Sequence, residues 1–327
     1  MNKLETTYMG LTLKNPLIIG SSNLTASLSN IKKLEQAGAG AIVLKSLFEE
    51  QFLVDEDRLL NEDDHYYWYR EAIDYLNNYS KNFGVKEYIQ LIRDAKKEVS
   101  IPIIASINCV SAVEWPKFAL QLEYAGADGI ELNISVPAFQ KDLTSEQIES
   151  NYADILLKVK SYVSIPVSVK IGANFTNITR LAHQLAAAGA DGIVLFNRFY
   201  SPDIDIYRAN VISDKALSNP VELAQSLRWI GLLSKEVKTD FAASTGIHDS
   251  NSIIKQILAG AAAVQVVSAI YENGVDYAID LVRGVDQWMK LKGYNSIDEF
   301  KGLVAIKSES AAAFERVQYM KKSYSKM

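Results

Sequence analysis

Buried runs and amphipathic stretches alternate along the chain. Four short apolar runs each follow an Ala-Gly-Ala sequence, which begins at Ala37, Ala125, Ala188 and Ala259. Glycine just past a helix adopts the left-handed conformation at little cost, and a run that is apolar on both faces is typical of a covered strand. Each repeat therefore predicts the end of a helix, a glycine stop and a buried strand.

A second set of strands is interleaved with the first. Three of them open with a proline and a fourth occupies the equivalent place, at residues 15–20, 101–106, 165–170 and 239–244. The two sets together predict eight strands, which start near residues 17, 41, 102, 128, 166, 191, 240 and 262. Amphipathic stretches between them, such as 177–188, 220–237 and 250–258, predict helices. This alternation favours a (β/α)8 barrel of the TIM type, with a doubly wound open sheet as the alternative.

Four segments lie outside this alternation. The insertion 46–82 after the second strand is acidic and aromatic, and it predicts a lid, because loops that follow barrel strands lie at the C-terminal, catalytic face. The excursion 197–217 predicts short strands that pair over the mouth of the barrel. Residues 5–13 predict a hairpin that closes the barrel floor, and 300–327 predict a helical extension. We expect one domain over residues 1–327.

Composition narrows the function classes. The net charge of −5 gives no reason to expect nucleic acid, and no apolar run reaches the roughly 18 residues that a membrane span needs. The first residues lack the apolar region of a signal peptide, so a cytoplasmic location is expected. Cys109 is the single cysteine, and the three histidines, His65, His183 and His248, are dispersed; no metal site is predicted.

Polar residues stand where the predicted strands end. Glu131 and Asn133 share one face of the fourth strand, since side chains alternate along a strand. A buried carboxylate needs a partner, and Lys45 and Lys170 lie late in two other strands. A structural polar cluster would give the same pattern, but convergence of three strands on one end favours a functional site.

A phosphate site is the next expectation. Residues 244–247 and 266–269 follow the seventh and eighth strands, where many barrels bind phosphate through backbone N–H groups. A nearby lysine suited to a developing negative charge favours a phosphorylated cofactor or substrate over a purely structural turn.

These residues resemble the class 1 dihydroorotate dehydrogenases, which are flavin barrels of pyrimidine biosynthesis. The resemblance covers nearly the whole chain. Its markers are residues 15–22, 44–46, 131–137, 169–171, 196–197, 244–247, 265–270 and 292–300.

The resemblance implies a homodimeric oxidoreductase that binds FMN and transfers hydride from a bound ring to the flavin. The residues implied at the flavin ring are Gly20, Ser21, Lys45, Ser46 and Lys170. Those implied at flavin or substrate are Asn108, Asn133 and Asn197, and those implied at the phosphate are Thr245, Gly246, Val267 and Ser268. Lys45, Asn133 and Asn197 are the candidate catalytic residues.

The chain departs from the family on the substrate side. In the motif Asn-x-Ser-Cys-Pro-Asn, the place of the cysteine base is taken by Val136 and that of the last asparagine by Ala138. The family loop Asn-Ser-Met-Gly-Leu-Pro-Asn has no counterpart in the insertion 46–82. General-base assistance typically contributes ~10² to 10⁴ in rate, so dihydroorotate oxidation should be nearly silent unless Cys109 or His65 substitutes. Two alternatives stay open: a flavin oxidoreductase acting on another small ring, or a regulatory barrel that binds flavin without turnover.

Overall fold

The computed structural model describes residues 3–48, 84–109, 115–136, 141–198, 202–213 and 217–306. Its strands begin within one residue of the eight predicted positions, with five short strands in addition. In chain order they are β1 (Thr6–Tyr8), β2 (Leu11–Leu13), β3 (Leu17–Ile19), β4 (Ala41–Val43), β5 (Leu47–Phe48), β6 (Ile103–Cys109), β7 (Gly129–Ile134), β8 (Val167–Ile171), β9 (Gly192–Leu195), β10 (Pro202–Asp205), β11 (Asn210–Ser213), β12 (Asp240–Ser244) and β13 (Ala263–Val266).

Eight of these strands form a closed parallel barrel. The ladder runs β3-β4-β6-β7-β8-β9-β12-β13, and β13 pairs again with β3. The predicted (β/α)8 barrel is therefore confirmed, and the open-sheet alternative is wrong. Strand β5 adds a second, shorter pairing to β6 beyond the end of β4.

Helices cover the outside of the barrel. They are α1 (Leu28–Gln36), α2 (Val85–Glu98), α3 (Trp115–Ala125), α4 (Ser145–Lys160), α5 (Ile178–Ala187), α6 (Leu223–Leu233), α7 (Ser250–Ala259), α8 (Ser268–Asn273) and α9 (Tyr277–Lys292). Helices α5 and α7 lie where predicted, whereas α6 is shorter than the predicted 220–237. Its first residues form a 3₁₀ turn with Pro220 at the start, capped by the side chain of Asn219. The larger hydrophobic cluster lies between these helices and the outward faces of the strands.

The Ala-Gly-Ala repeats form helix ends, as predicted. Their glycines have φ between 93° and 118°, a region that favours glycine. In two copies the next residue is an aspartate that joins three elements. Asp128 accepts hydrogen bonds from Lys96 Nζ and from the N–H of Ile103, and Asp191 accepts them from Lys160 Nζ and the N–H of Val167. Each aspartate thus fastens a helix and the preceding strand to the strand that it opens.

The N-terminal hairpin closes the barrel floor, as predicted. Strands β1 and β2 pair antiparallel, and Tyr8 and Met9 at their turn are buried against small residues that line the barrel interior. A Cβ added at Gly129 or Gly192 would lie 2.9 Å from atoms of Met9 or Tyr8. The two strands can approach the hairpin this closely because glycine has no side chain. The N–H of Met9 donates to Asp240 Oδ2 at 2.9 Å and connects the hairpin to β12.

The excursion after β9 contains the predicted short strands. Strands β10 and β11 pair antiparallel, with Pro202 opposite Ser213 and Asp205 opposite Asn210. Of the predicted lid, only Ser46, Leu47 and Phe48 belong to the described residues. Residues 301–306 are not helical, and 307–327, the rest of the predicted helical extension, lie outside the described ranges.

Candidate active site

Alternation along neighbouring strands brings polar side chains into one end of the barrel. The register aligns Asn108 with Asn133 and Asn133 with Lys170. One layer closer to the floor, Ser106 is aligned with Glu131 and Glu131 with Ser168. The barrel interior is therefore apolar at the hairpin end and polar at the C-terminal ends of the strands.

A buried ion pair stands at the centre of the polar end. Lys170 Nζ donates to Gln265 Oε1 at 2.9 Å and lies 3.7 Å from Glu131 Oε1. Gln265 Nε2 donates in turn to Glu131 Oε2, and the Glu131 side chain is only 1% exposed. Paired charges and hydrogen bonds offset the cost of burying both groups. Of the two candidate partners predicted for Glu131, Lys45 and Lys170, the structure pairs it with Lys170.

A polar cavity of about 150 Å³ opens above this ion pair. Predicted site residues that line it are Ser21, Lys170, Asn197, Thr245, Gly246, Val267 and Ser268. The other lining residues are Arg198, Ser218, Ser244, Ile247 and Gln265. Two cations and several hydroxyl groups face the cavity, and none of the described residues that line it is acidic. The cavity thus suits an anionic ligand.

The remaining predicted site residues lie outside the lining. Three of them touch it: Ser46 Oγ is 3.0 Å from Ser21 Oγ, Asn133 Oδ1 accepts from Asn197 Nδ2 at 3.0 Å, and Gly20 adjoins Val267. Lys45, two residues beyond β4, and Asn108 on β6 are half-buried. Because the cavity lies between β8, β9, β12, β13 and β3, the residues of β4 and β6 face the other half of the mouth. The cavity brings Lys170 together with the predicted phosphate residues but does not include Lys45.

The turn after β12 shapes one wall of the cavity. Thr245 and Gly246 have φ of 75° and 76°, and the Thr245 hydroxyl donates to the carbonyl of Phe196 at 3.1 Å. A Cβ at Gly246 would lie 2.2 Å from the backbone nitrogen of Leu223, so only glycine fits. The N–H of Gly246 points at Ser218 Oγ, 3.3 Å away.

Three residues near the cavity were not predicted as site residues. Arg198, whose Nε lies 3.1 Å from Glu222 Oε1, directly follows Asn197. Ser218 Oγ lies 3.2 Å from His248 Nε2. Ser218 stands one residue beyond the excursion and His248 one residue beyond the turn 244–247, so proximity to those segments was the available signal. Their meeting depends on loop conformation, which hydrophobic periodicity does not encode.

Val136, the residue that the sequence resemblance places at the family's base, makes apolar contacts. Val136 is half-buried and packs against the large hydrophobic cluster. Nearby, burial raises the pKa of Tyr152, opposed by a hydrogen bond with the Val136 backbone. Cys109 is the last residue of β6, while Ala138 and His65 lie outside the described residues.

Fold and site together define a parallel α/β barrel with a cationic, hydroxyl-rich cavity at the C-terminal ends of its strands, the usual place for barrel chemistry. The family model described as dihydroorotate dehydrogenase matches residues 3–289. The chain belongs to the dihydroorotate dehydrogenase family, whose members are oxidoreductases.

Curated relatives align along nearly their full length. A protein of Thermoplasma volcanium is 32% identical over 321 residues, covering 94% of this chain and 100% of the relative. Proteins of Methanothermobacter thermautotrophicus and Pyrococcus abyssi are each 28% identical, covering 92% of this chain and 98% of the relative. All three are named dihydroorotate dehydrogenase B (NAD(+)), catalytic subunit. Among the described residues of this chain, no helix is both long and apolar enough to cross a membrane.

Proposed function

We propose that this chain is an FMN-dependent oxidoreductase that works in the cytoplasm as a homodimer. The observation that carries the proposal is the position of the Lys170 ammonium, which Gln265 and Glu131 hold at one side of the cavity. None of the described residues that line the cavity is acidic. The donor set fits FMN: Lys170 suits a ring that becomes anionic, and the hydroxyls and backbone of Thr245, Gly246 and Ser268 suit a phosphate.

The residues of the chain would bind and orient the reactants. FMN, when bound, supplies the hydride-accepting ring, and the protein supplies position and electrostatics. Lys170 would stabilise negative charge that is larger after hydride arrives than before, so its effect would fall on the transition state and the reduced form. The hydrogen-bonded amides of Asn133 and Asn197 would hold ring or substrate at the centre of the mouth.

Flavin content tests the proposal directly. Purified protein should be yellow, and apoprotein should quench FMN fluorescence. Lys170→Met should weaken FMN binding. Lys235→Met should not, because Lys235 contacts the carbonyl of Ala305 and does not line the cavity. A colourless preparation that stays colourless with added FMN contradicts the proposal.

We propose dihydroorotate as the first substrate to test, with turnover nearly silent because Val136 stands at the base position. Val136→Cys with Ala138→Asn should raise dihydroorotate-dependent flavin reduction by about 10² or more, in line with the usual effect of a general base. Val136→Ala is the matched control, since it changes side-chain size without supplying a base. If the double variant gains nothing over the control, the two lost groups do not explain the silence.

A second candidate is an oxidoreductase acting on a different small cyclic substrate. The packing of Val136 against the core favours it, because that side chain cannot accept a proton. Anaerobic reduction of the bound flavin by candidate donors, NADH included because of the relatives' names, separates the two. A bound flavin that no donor reduces would indicate a regulatory barrel instead.

The exposed hairpin supports the homodimer. Ile204 and Val211 form a cross-strand pair on β10 and β11, and they are 63% and 67% exposed. Exposed apolar patches of this kind commonly mark protein interfaces. Light scattering should give a dimer mass that Val211→Lys reduces and Leu291→Lys, at an exposed site on α9, does not. A monomer mass for the unaltered protein contradicts the proposal.

A further inference from the structure

A hydrogen-bonded chain of four side chains leads from the cavity to the protein surface. Ser268 Oγ accepts from both the N–H and the hydroxyl of Ser218, at 2.9 and 3.0 Å. Ser218 Oγ lies 3.2 Å from His248 Nε2, and His248 Nδ1 lies 3.2 Å from Glu272 Oε2. Ser218 and Ser268 line the cavity, while Glu272 is 45% exposed.

The directions of these hydrogen bonds depend on the charge of His248. A hydroxyl has one proton and two lone pairs. When the Ser218 proton goes to Ser268, Ser218 Oγ accepts from both Gly246 N–H and His248 Nε2–H. Glu272 lies opposite His248 Nδ1, so this arrangement uses an imidazole that carries a proton on each nitrogen. The two lone pairs of Ser268 Oγ are then filled, and its own proton is directed to the ligand space.

A neutral His248 reverses the chain. With its single proton held by the Glu272 carboxylate, Nε2 becomes an acceptor, and the Ser218 hydroxyl turns to donate to it. Ser218 Oγ then accepts from the Ser268 hydroxyl, which withdraws that proton from the cavity. Loss of one proton from His248 therefore changes Ser268 from a donor to an acceptor toward a ligand.

The charged groups around His248 define the setting of this change. Glu272 of α8 faces His248 Nδ1. The next residue in the sequence, Asp249, caps α7 by accepting a hydrogen bond from the N–H of Ser252. From α9, the Tyr277 hydroxyl donates to the His248 carbonyl, and burial followed by Asp249 and Asp280 raises the Tyr277 pKa. Across the cavity stand Lys170 and Arg198. Imidazole is the side-chain type in this set that switches between donor and acceptor roles by gaining or losing a proton.

We propose that His248 and Glu272 are positioning residues that direct the Ser268 hydroxyl toward a dianionic phosphate monoester and couple its binding to uptake of one proton. The coupling follows because a dianion favours the donor arrangement of Ser268, which requires the protonated imidazole. The part of this inference that names FMN as the ligand rests on the proposed function. The part that says the cavity selects a dianion does not depend on flavin binding.

The test compares FMN with riboflavin, which lacks the phosphate, by fluorescence titration of apoprotein between pH 6 and 8.5. At pH 6 the ratio of FMN to riboflavin affinity should be about tenfold lower in His248→Gln than in the unaltered protein, the size of one charge-assisted hydrogen bond. At pH 8.5 the two proteins should converge. The exposed His183→Gln on α5 is the matched control and should leave the ratio unchanged. Calorimetry in two buffers should show proton uptake near pH 7.5 that His248→Gln abolishes.

Glu272→Gln guards against a folding defect, because its site is half-exposed. It should keep riboflavin binding and move the loss of FMN preference to lower pH, since the imidazolium loses its carboxylate. If both variants bind flavin with an unchanged ratio, pH profile and proton uptake, the inference is overturned.

Sulfate separates this inference from the flavin proposal, because it stays a dianion over the same pH range. Its stabilisation of the protein against heating, at constant ionic strength, should weaken with rising pH only while His248 is present. If sulfate stabilises the protein in this way and flavin does not bind, the flavin proposal is contradicted and dianion selection is supported. Sulfate stabilisation that is independent of His248, with no flavin binding, would overturn both.

Discussion

Lys170 owes its position to side chains beneath it in the barrel. Gln265 and Glu131 hold its ammonium, and the Glu131 carboxylate is almost fully buried. Replacing one member of a buried ion pair is costly, because the other charge is left without its partner.

Glu131→Gln should therefore lower the free energy of unfolding by about 3 to 5 kcal/mol. Adding Lys170→Gln removes the second charge, so the double variant should recover part of that loss. Urea unfolding of both variants measures the difference. Equal losses in the single and double variants would show that the two residues do not act as a pair.

Side-chain alternation predicted that Glu131 faces the barrel interior and needs a partner, with Lys45 and Lys170 as the two candidates. The same rule placed Lys45 at the mouth, but it does not say which part of the mouth a cavity occupies. Ser218 and His248 were beyond reach for a different reason. They meet through the conformations of two loops, and no periodic pattern specifies those contacts.

Among the elements, the turn after β12 has a strict backbone requirement at Gly246. Gly246 and Gly293 have nearly the same φ, 76° and 78°, but only Gly246 has backbone within reach of an added Cβ. The two glycines therefore separate conformational strain from steric overlap.

Gly293→Ala should lower the free energy of unfolding by about 1 to 2 kcal/mol, the cost of left-handed backbone for an L-residue. Gly246→Ala should lower it further and also weaken ligand binding, because the new methyl would displace Leu223 or the turn. Thermal unfolding of both variants provides the comparison. Equal losses at the two sites would mean that the turn relaxes around the methyl group.

Barrel strands and most helices were predictable because their apolar period and terminal glycines are local signals. Strand β5 was missed, since two residues carry no period. The predicted start of α6 was too early, because Asn219 and Pro220 begin a 3₁₀ turn that precedes the helix. Topology followed from the number and alternation of elements, whereas barrel closure required the observed pairing of β13 with β3.

For the whole molecule, the floor hairpin couples folding to pH through Asp240. Burial raises the pKa of this carboxyl, while the hydrogen bond from Met9 N–H and the charge of Lys301 oppose the rise. A raised folded-state pKa favours the protonated native form. Its contribution to stability is fully present below the ordinary pKa of 3.8 and is lost as pH rises through the folded-state value.

Asp240→Asn keeps an acceptor for Met9 N–H and removes the titration. Relative to the unaltered protein, the variant should gain stability as pH rises from about 3 to 7, and the gain should level off above the folded-state pKa. Denaturant unfolding at several pH values measures it, with Asp298→Asn, at an exposed site, as the control. A stability difference that does not change with pH would contradict the assignment.

Glu131, the counter-ion of Lys170, lies inside the barrel, one layer further from the mouth. Substitutions in the loops that face the substrate therefore leave the charge of Lys170 neutralised. Under the proposed function, a valine in place of a base at position 136 would be a change of this kind: it would alter what the enzyme could oxidise and would leave the Lys170–Glu131 pair in place. Such a scaffold is suited to acquiring new substrates, by natural divergence or in the laboratory.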